Sequence, residues 1–495
     1  MSTAAWRWYE RRKQGQGLRL WWGLGRDERT KRGKEPVSLF CPGFKLVSGC
    51  DSLRPAIRNG QTKMSELLKD LPEQTTPQSA GRGAPRLLQA ERRQVELRAT
   101  SLDELIGRDH LVRLVWQMVQ RFDLRPLLDQ IDAREGTPGH PQTDPAILVA
   151  LWLYATLDGV GSARELARLC EHHHAYRWLC GGVGINHHTL SDFRVAHADW
   201  LDGELSRGLA SLMTAGEVSL DSVAHDGMRV RAAAGSGSFR RKPRLQQFLG
   251  EARARVAALK TELTSDPDRR TRREAAGERA ARERLARVEA ALAAMPEAAA
   301  RKKRNKGKPD QARVSTTDAE ARVMKMPDGG FRPAYNVQFA AETQHGLVAA
   351  VAVTTSGADQ DALDDVHAKV TQTYDRAPTN WLVDGGYVSQ DGIEAVEVRG
   401  SKVHAPLGDA LASCDSPPIA AWRERMQSEA GKELYQMRGQ TIEWVNAGAR
   451  NRGFYGLLVR GVQKARAVAL WYAVAHNLHC IIRIPALRQV AWVAT

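Results

Sequence analysis

Three acidic residues stand in settings that suit metal-assisted phosphodiester chemistry: Asp226, Asp384 and Glu443. That chemistry uses two divalent cations about 3.5–4 Å apart, which clamp the attacking and leaving oxygens of an in-line displacement. Hard cations take oxygen ligands, so the protein has to bring carboxylates together. Asp226 sits in His225-Asp226-Gly227, and Asp384 in Val383-Asp384-Gly385-Gly386-Tyr387. A glycine directly after an acid lets a phosphate or a metal approach the backbone closely. Glu443 lies in a stretch from Tyr435 to Arg450 that also holds Arg438 and Asn446. On a helix, Glu443, Asn446 and Arg450 fall at i, i+3 and i+7 and share a face. A carboxylate with arginines beside it makes sense next to DNA, whose phosphates the arginines hold.

The elements that must position these acids are legible in the periodicity. Val218, Leu220, Ser222, Ala224 and Asp226 alternate onto one face, as a strand that ends at the acid. Strand-like runs recur at 334–341, 346–355, 379–384 and 402–406, with Asn380, Leu382 and Asp384 on one face of the fourth strand. Asp359 to Tyr374 reads as a helix through Leu363, Val366 and Val370, with Asp359 and Asp361 as charges at its N-terminus. Three strands, helix, strand, helix, strand is the order of an RNase H-like mixed sheet, so the fold class is α/β. One interruption stands out. Residues 241–312 carry two helically spaced apolar sets separated by Ser265-Asp266-Pro267-Asp268, and end in the basic run Arg301-Lys302-Lys303-Arg304-Asn305-Lys306-Gly307-Lys308. They read as an inserted basic helical hairpin whose arginines and lysines touch DNA phosphates.

Upstream, 101–215 reads as an all-helical DNA-binding domain. Leu102 to Val119 is helically periodic, and Asp144-Pro145 opens a helix running to about Leu157. Further helices are expected at about 162–172 and 189–213, the latter opened by the capping pair Thr189 and Asp192. The catalytic domain is then 216–240 with 313–485. Residues 74–96 are rich in Gln, Pro, Gly and Arg, and 64–100 as a whole reads as a linker.

The formal net charge of +15 favours a polyanionic partner. The charge is concentrated: residues 1–63 hold 14 Lys/Arg against 5 Asp/Glu, residues 240–308 hold 21 against 9, and the remainder is net acidic. Six cysteines without a CxxC pair fit free thiols in a reducing compartment. Cys170, His172, His173, His174, Cys180, His187 and His188 lack the pair spacing of zinc fingers or ribbons, and read as solvent-facing or core side chains. The longest apolar stretch, Ala146 to Ala155, is too short to span a bilayer, and no secretory signal is visible. A cytoplasmic protein is expected, nucleoid-associated when acting, with no membrane partner.

Five stretches in order carry a resemblance. They are Asp226-Gly227, Ala334-Tyr335-Asn336-Val337-Gln338, Asp384-Gly385-Gly386-Tyr387, the Tyr435/Arg438/Glu443 block, and Arg460-Gly461-Val462-Gln463-Lys464 running to Ala475-His476-Asn477-Leu478. Residues from about 101 to 485 resemble DDE transposases of bacterial insertion sequences, which have a helical N-terminal domain, an RNase H-like catalytic domain and a Tyr-Arg-Glu-Lys signature. The resemblance implies that Asp226, Asp384 and Glu443 hold Mg²⁺, with Mn²⁺ as a substitute, and that Tyr435 and Arg438 contact the DNA end. It implies cleavage at the transposon's terminal inverted repeats, transfer of the freed 3′-hydroxyl into target double-stranded DNA, and a homodimer on paired ends. The chain departs from the signature twice: four residues separate Arg438 from Glu443 where three are usual, and Arg450 stands where lysine is expected. A fixed guanidinium fork is not an ammonium, so Arg450 matches the role less closely than the acids do. Two alternatives stay open: an RNase H-like nuclease without strand transfer, and an inactive DNA-binding copy acting as a regulator.

If the three acids work together, their oxygens should come within about 4–8 Å across the site, despite sequence gaps of 158 and 59 residues. Residues 1–63 are read as dispensable. They hold four tryptophans with no periodicity that could bury them, and Met64 begins ordinary-looking sequence. A chain starting at Met64 should therefore retain transposition. Loss of activity on that truncation would favour the rival reading, a basic arm on the DNA backbone.

Overall fold

The helix at Pro145–Asp158 shows how local sequence sets the architecture. The Asp144 carboxylate accepts the Ala146 N–H at 2.8 Å, Pro145 occupies the first turn, and Gly159 closes the helix at φ +81°. Its apolar residues lie on every side, so it is a core helix, buried continuously from Leu148 to Thr156. The computed structural model describes residues 93, 95, 99–136, 138–265, 272–408 and 416–493. The segment 1–63 and most of 64–100 lie outside the described residues, and with them the reading of Met64.

Among the described residues, the helices before the sheet are α1 (Leu111–Val119), α2 (Arg125–Leu128), α3 (Pro145–Asp158), α4 (Ala163–His172), α5 (His174–Cys180), α6 (His187–Ala196) and α7 (Ala198–Thr214). The single helix expected over 189–213 is two. Asn186, not Thr189, caps the first, accepting from the N–H groups of His188 and Thr189. The chain then breaks at His197, whose φ of −115° and ψ of 40° are not helical.

The sheet is built on β1 (Ser222–Arg231). The strand does not end at Asp226. Alternation continues through Met228 and Val230, both buried, and pairing with β5 runs from Val223↔Glu342 to Arg231↔Ala334. Two short strands, β2 (Phe239–Arg240) and β3 (Val314–Ser315), pair with each other where the insertion leaves and returns. Then come β4 (Arg322–Lys325), β5 (Phe331–Glu342), β6 (Val348–Thr354), β7 (Asn380–Leu382) and β8 (Lys402–His404). The order across the sheet is β6-β5-β1-β7-β8, with β4 on the same edge of β5 as β6. β6, β5 and β1 are antiparallel neighbours; β1, β7 and β8 are parallel.

The insertion contains α8 (Lys242–Ser265), α9 (Arg272–Ala293) and the short α10 (Met295–Arg304). Its apolar residues form a small core of their own, with Leu245, Ala291, Met295, Ala312 and Val314. After β6 follow α11 (Gln360–Tyr374), α12 (Gln390–Val398), α13 (Pro417–Gln427), α14 (Glu429–Asn451), α15 (Val462–Arg483) and α16 (Pro485–Val493). α15 joins the two halves of the fold. Its Trp471 indole donates to the Arg194 carbonyl of α6 at 2.9 Å, and Asn477 bonds both backbone groups of Val348 in β6. One apolar core accordingly runs from Ile106 to Leu487 through helices and sheet together. The fold is mixed α/β with extensive helical regions. Among the described residues, no single helix is long and apolar enough to cross a membrane.

Candidate active site

Asp226 projects from the middle of β1, and its carboxylate is held from two directions. The Gly227 N–H donates to it at 2.9 Å, and the Asn446 amide of α14 donates at 3.0 Å. Asp384 lies just past β7, where strand becomes a tight turn; its carboxylate accepts the Gly386 N–H at 2.8 Å. Glu443 rises from α14 with a side chain 70% exposed.

One guanidinium gathers all three. Arg438, just over one helical turn before Glu443 on α14, stands 3.4 Å from Asp226, 3.7 Å from Asp384 and 4.0 Å from Glu443. Three acids from three separate elements thus each lie within 4.0 Å of one guanidinium. Among the described residues, no three His, Cys, Asp or Glu side chains stand close enough together to hold a metal ion. The donors are nevertheless all oxygen, the set that hard divalent cations take.

The electrostatics follow from burial. The Asp226 side chain is only 19% exposed, and burial pushes its carboxyl up to about 6. Arg438 opposes that rise, while the nearby charges of Asp384 and Asp359 add to it. Burial also raises the Tyr435 hydroxyl, against the Arg438 charge, with Asp384, Asp226 and Glu443 adding to the rise. Arg438 thus belongs to the acid cluster, and Tyr435 lies three residues before it on α14. Arg450 does not: it is exposed near the end of α14 and forms no ion pair with the three acids.

A second layer behind the acids is not evident from the sequence. The position of Asp359 suggests a helix-end charge, but its side chain makes no cap hydrogen bond; it turns toward the sheet. There it accepts from Asn336 at 2.6 Å and from Gln338 at 3.4 Å, with Arg229 3.6 Å away. The Gln338 carbonyl in turn accepts from the Tyr387 hydroxyl at 2.5 Å and faces His225 Nε2 at 2.8 Å. Burial lowers His225 to about 3, so the ring is neutral and donates to Gln338. A signal for this layer does exist: Asn336 and Gln338 sit two apart on a central strand whose neighbours are apolar, and polar residues on one face there need a reason.

Gly227 plays a different part from the one its sequence suggests. A Cβ at Gly227 would lie 2.6 Å from Gln338 Nε2 and 2.8 Å from both Asn336 Oδ1 and Asp359 Oδ1. The glycine makes room for this polar layer rather than for a ligand. Gly385 is open: a Cβ there would meet nothing within 4 Å, so the backbone beside Asp384 is accessible. Four buried polar atoms at the site have no hydrogen-bond partner: His225 Nδ1, Asn336 Oδ1, Arg438 Nε and Asn446 Oδ1. Trp444 is partly exposed and packs edge-on against His476, 4.8 Å between ring centres.

Residues 100–196 match the family described as Transposase domain (DUF772). The match covers α1 to α6 and stops before β1, so it includes none of the three acids. It supports a transposase-family protein with a transposition-related function. Neither the curated proteins nor the solved structures contain a match to the chain.

Proposed function

We propose that this chain is a DDE-type transposase that cleaves transposon ends and transfers them into target DNA. The observation that carries the reading is the gathering of Asp226, Asp384 and Glu443 around one point beside the central strand. The strand order β6-β5-β1-β7-β8, antiparallel then parallel, supports an RNase H-like catalytic domain. Asp226, Asp384 and Glu443 would hold Mg²⁺, or Mn²⁺ in its place, and such ions supply charge stabilisation of the phosphoryl oxygens and a more acidic attacking water or hydroxyl. Asn446 and the Gly386 N–H orient two of the carboxylates. Arg438 offsets part of the acids' negative charge, and its fork matches a phosphate once DNA arrives. Tyr435 stands beside it, at the surface where a DNA end would lie. A homodimer on paired ends and action at the nucleoid belong to the same proposal.

Incubation of the full chain with the DNA flanking its coding region and Mg²⁺ tests the reading. Cleavage at inverted repeats, and joined product from pre-cut ends, is the expected result. Cutting without joining would make it a nuclease, and end binding without cutting an inactive regulator.

The basic run divides in the structure. Lys302, Lys303 and Arg304 are exposed, whereas the Arg301 side chain is 25% exposed and paired with Glu297 at 3.3 Å. Replacing all four by glutamine should weaken DNA binding and flatten its salt dependence by up to about 0.9 for each phosphate no longer neutralised. An unchanged slope of log K against log salt would remove the insertion from the DNA surface.

A further inference from the structure

A cavity of about 480 Å³ lies where the insertion meets the sheet, and five cations line it: Arg241, Arg301, Lys302, Arg313 and Arg322. No acid lines it among the described residues; Asn305 and Gln311 add neutral donors, and Phe239 and Val323 apolar surface. The positive charge is poorly matched. Arg301 and Arg322 share one carboxylate, Glu297, at 3.3 and 3.5 Å. Arg322 is only 13% exposed, and its Nε is buried with no partner. Burial, and then the Arg322 charge, pull Arg301 below its ordinary value. Half-buried cations in excess of their counter-ions are unfavourable until an anion joins them.

The cavity is also tied to the candidate active site by one short loop. Arg301 donates to the Thr355 carbonyl at 3.4 Å. Two residues on, the Gly357 carbonyl accepts from Arg229 at 3.0 Å, and two further on Asp359 enters the polar layer beside Asp226. On the sheet side, Arg322 is in register with Ala334, two residues before Asn336.

We propose that this cavity is a phosphate site, occupied by a backbone phosphate of the DNA strand that reaches the acids. The proposal rests on the reading that the chain acts on DNA. Guanidinium forks suit phosphate oxygens, and a site built from two or three of them fixes the strand's position without reading its sequence. The insertion and the sheet both contribute, so the bound strand would set the insertion's placement relative to the acids.

The test uses the full chain and metal-free binding, so that its outcome is independent of cleavage. Arg241→Gln, Lys302→Gln and Arg313→Gln are combined, because these three are exposed. A charge-matched control combines Arg376→Gln, Arg399→Gln and Lys402→Gln, which are exposed beside β7 and β8 and outside the insertion. Binding to a duplex of arbitrary sequence is measured against salt. The cavity triple should show a slope shallower by about 1 or more, with the control close to the parent. Duplexes carrying one neutral methylphosphonate at successive positions should lose affinity for the parent protein at one or two positions, and at none for the cavity triple. Equal losses in the two triples would mean diffuse attraction and overturn the proposal. So would protection of the parent against heat by inorganic phosphate that DNA does not compete away, since the occupant would then be a free anion. If the cavity triple behaves as expected while no cleavage is ever seen, the phosphate site stands and the transposase reading falls.

Discussion

Asp384→Asn should abolish cleavage, by at least about a thousandfold, the several kcal/mol that metal-borne charge stabilisation supplies. DNA binding should change by less than about tenfold, and in the tighter direction, because one negative charge leaves a surface facing phosphates. Asparagine is nearly isosteric, and its carbonyl can still accept the Gly386 N–H that holds Asp384 now. The side chain is 42% exposed, so no buried void opens and the fold should be unaffected. End binding by mobility shift, beside cleavage in Mg²⁺ and in Mn²⁺, separates the two effects. Cleavage surviving within tenfold of the parent would remove Asp384 from the chemistry.

Asp226→Asn should do something less intuitive: stop cleavage and make the metal-free protein more stable. The Asp226 carboxyl titrates at about 6 in the folded protein, against an ordinary value of 3.8. Below pH 3.8 it is largely protonated in both folded and unfolded chains, and folding carries little penalty from it. As pH rises from there to about 6 the unfolded chain ionises first, and stability falls. Above that the folded protein holds a charge it disfavours, at a cost of about 3 kcal/mol for a carboxyl raised this far. The substitution removes that titration, so its stabilising effect should be full near pH ~7.5 and largely absent near pH ~4. Denaturant melts of both proteins in EDTA at the two pH values measure it. An equal effect at both would show that the aspartate is not strained by ionisation. Added Mg²⁺ should narrow the gap at the higher pH by stabilising only the parent, since the ion binds the folded state.

The acids are legible in the sequence because each combines a strand or a helix face with small neighbours. The alternation leading to Asp226 and the spacing around Glu443 survive in the structure as β1 and α14. Helix ends with a strong cap are legible too, as at Asp144-Pro145. What escapes are interactions that no local period encodes. Asn336, Gln338 and Asp359 meet only because β5 lies beside β1 in one register, with Gly227 opposite Gln338 and Arg229 opposite Asn336. Asp359 looks like a helix-end charge because its place in sequence fits that role equally well. β2 and β3, two residues each, carry no pattern at all. The far end of β1 is hidden for a related reason. An acid followed by glycine looks like a stop, yet pairing across nine positions with β5 carries the strand through it.

The ladder between β2 and β3 bears on how this protein can change. Arg240 and Val314 face each other across two strands, so about seventy residues leave the chain and return to adjacent positions. What lies between has its own core and adds nothing to the one that runs from Ile106 to Leu487. Such a graft can be lengthened, swapped for another or trimmed to a tight turn with little demand on the order in which the sheet assembles, since its ends meet whatever is tied between them. Selection can then act on reach and grip in the insertion while the acids stay in register. A chain rejoined from Arg240 to Val314 by a short turn would be expected to fold, bind DNA less firmly, and keep its three carboxylates where they are.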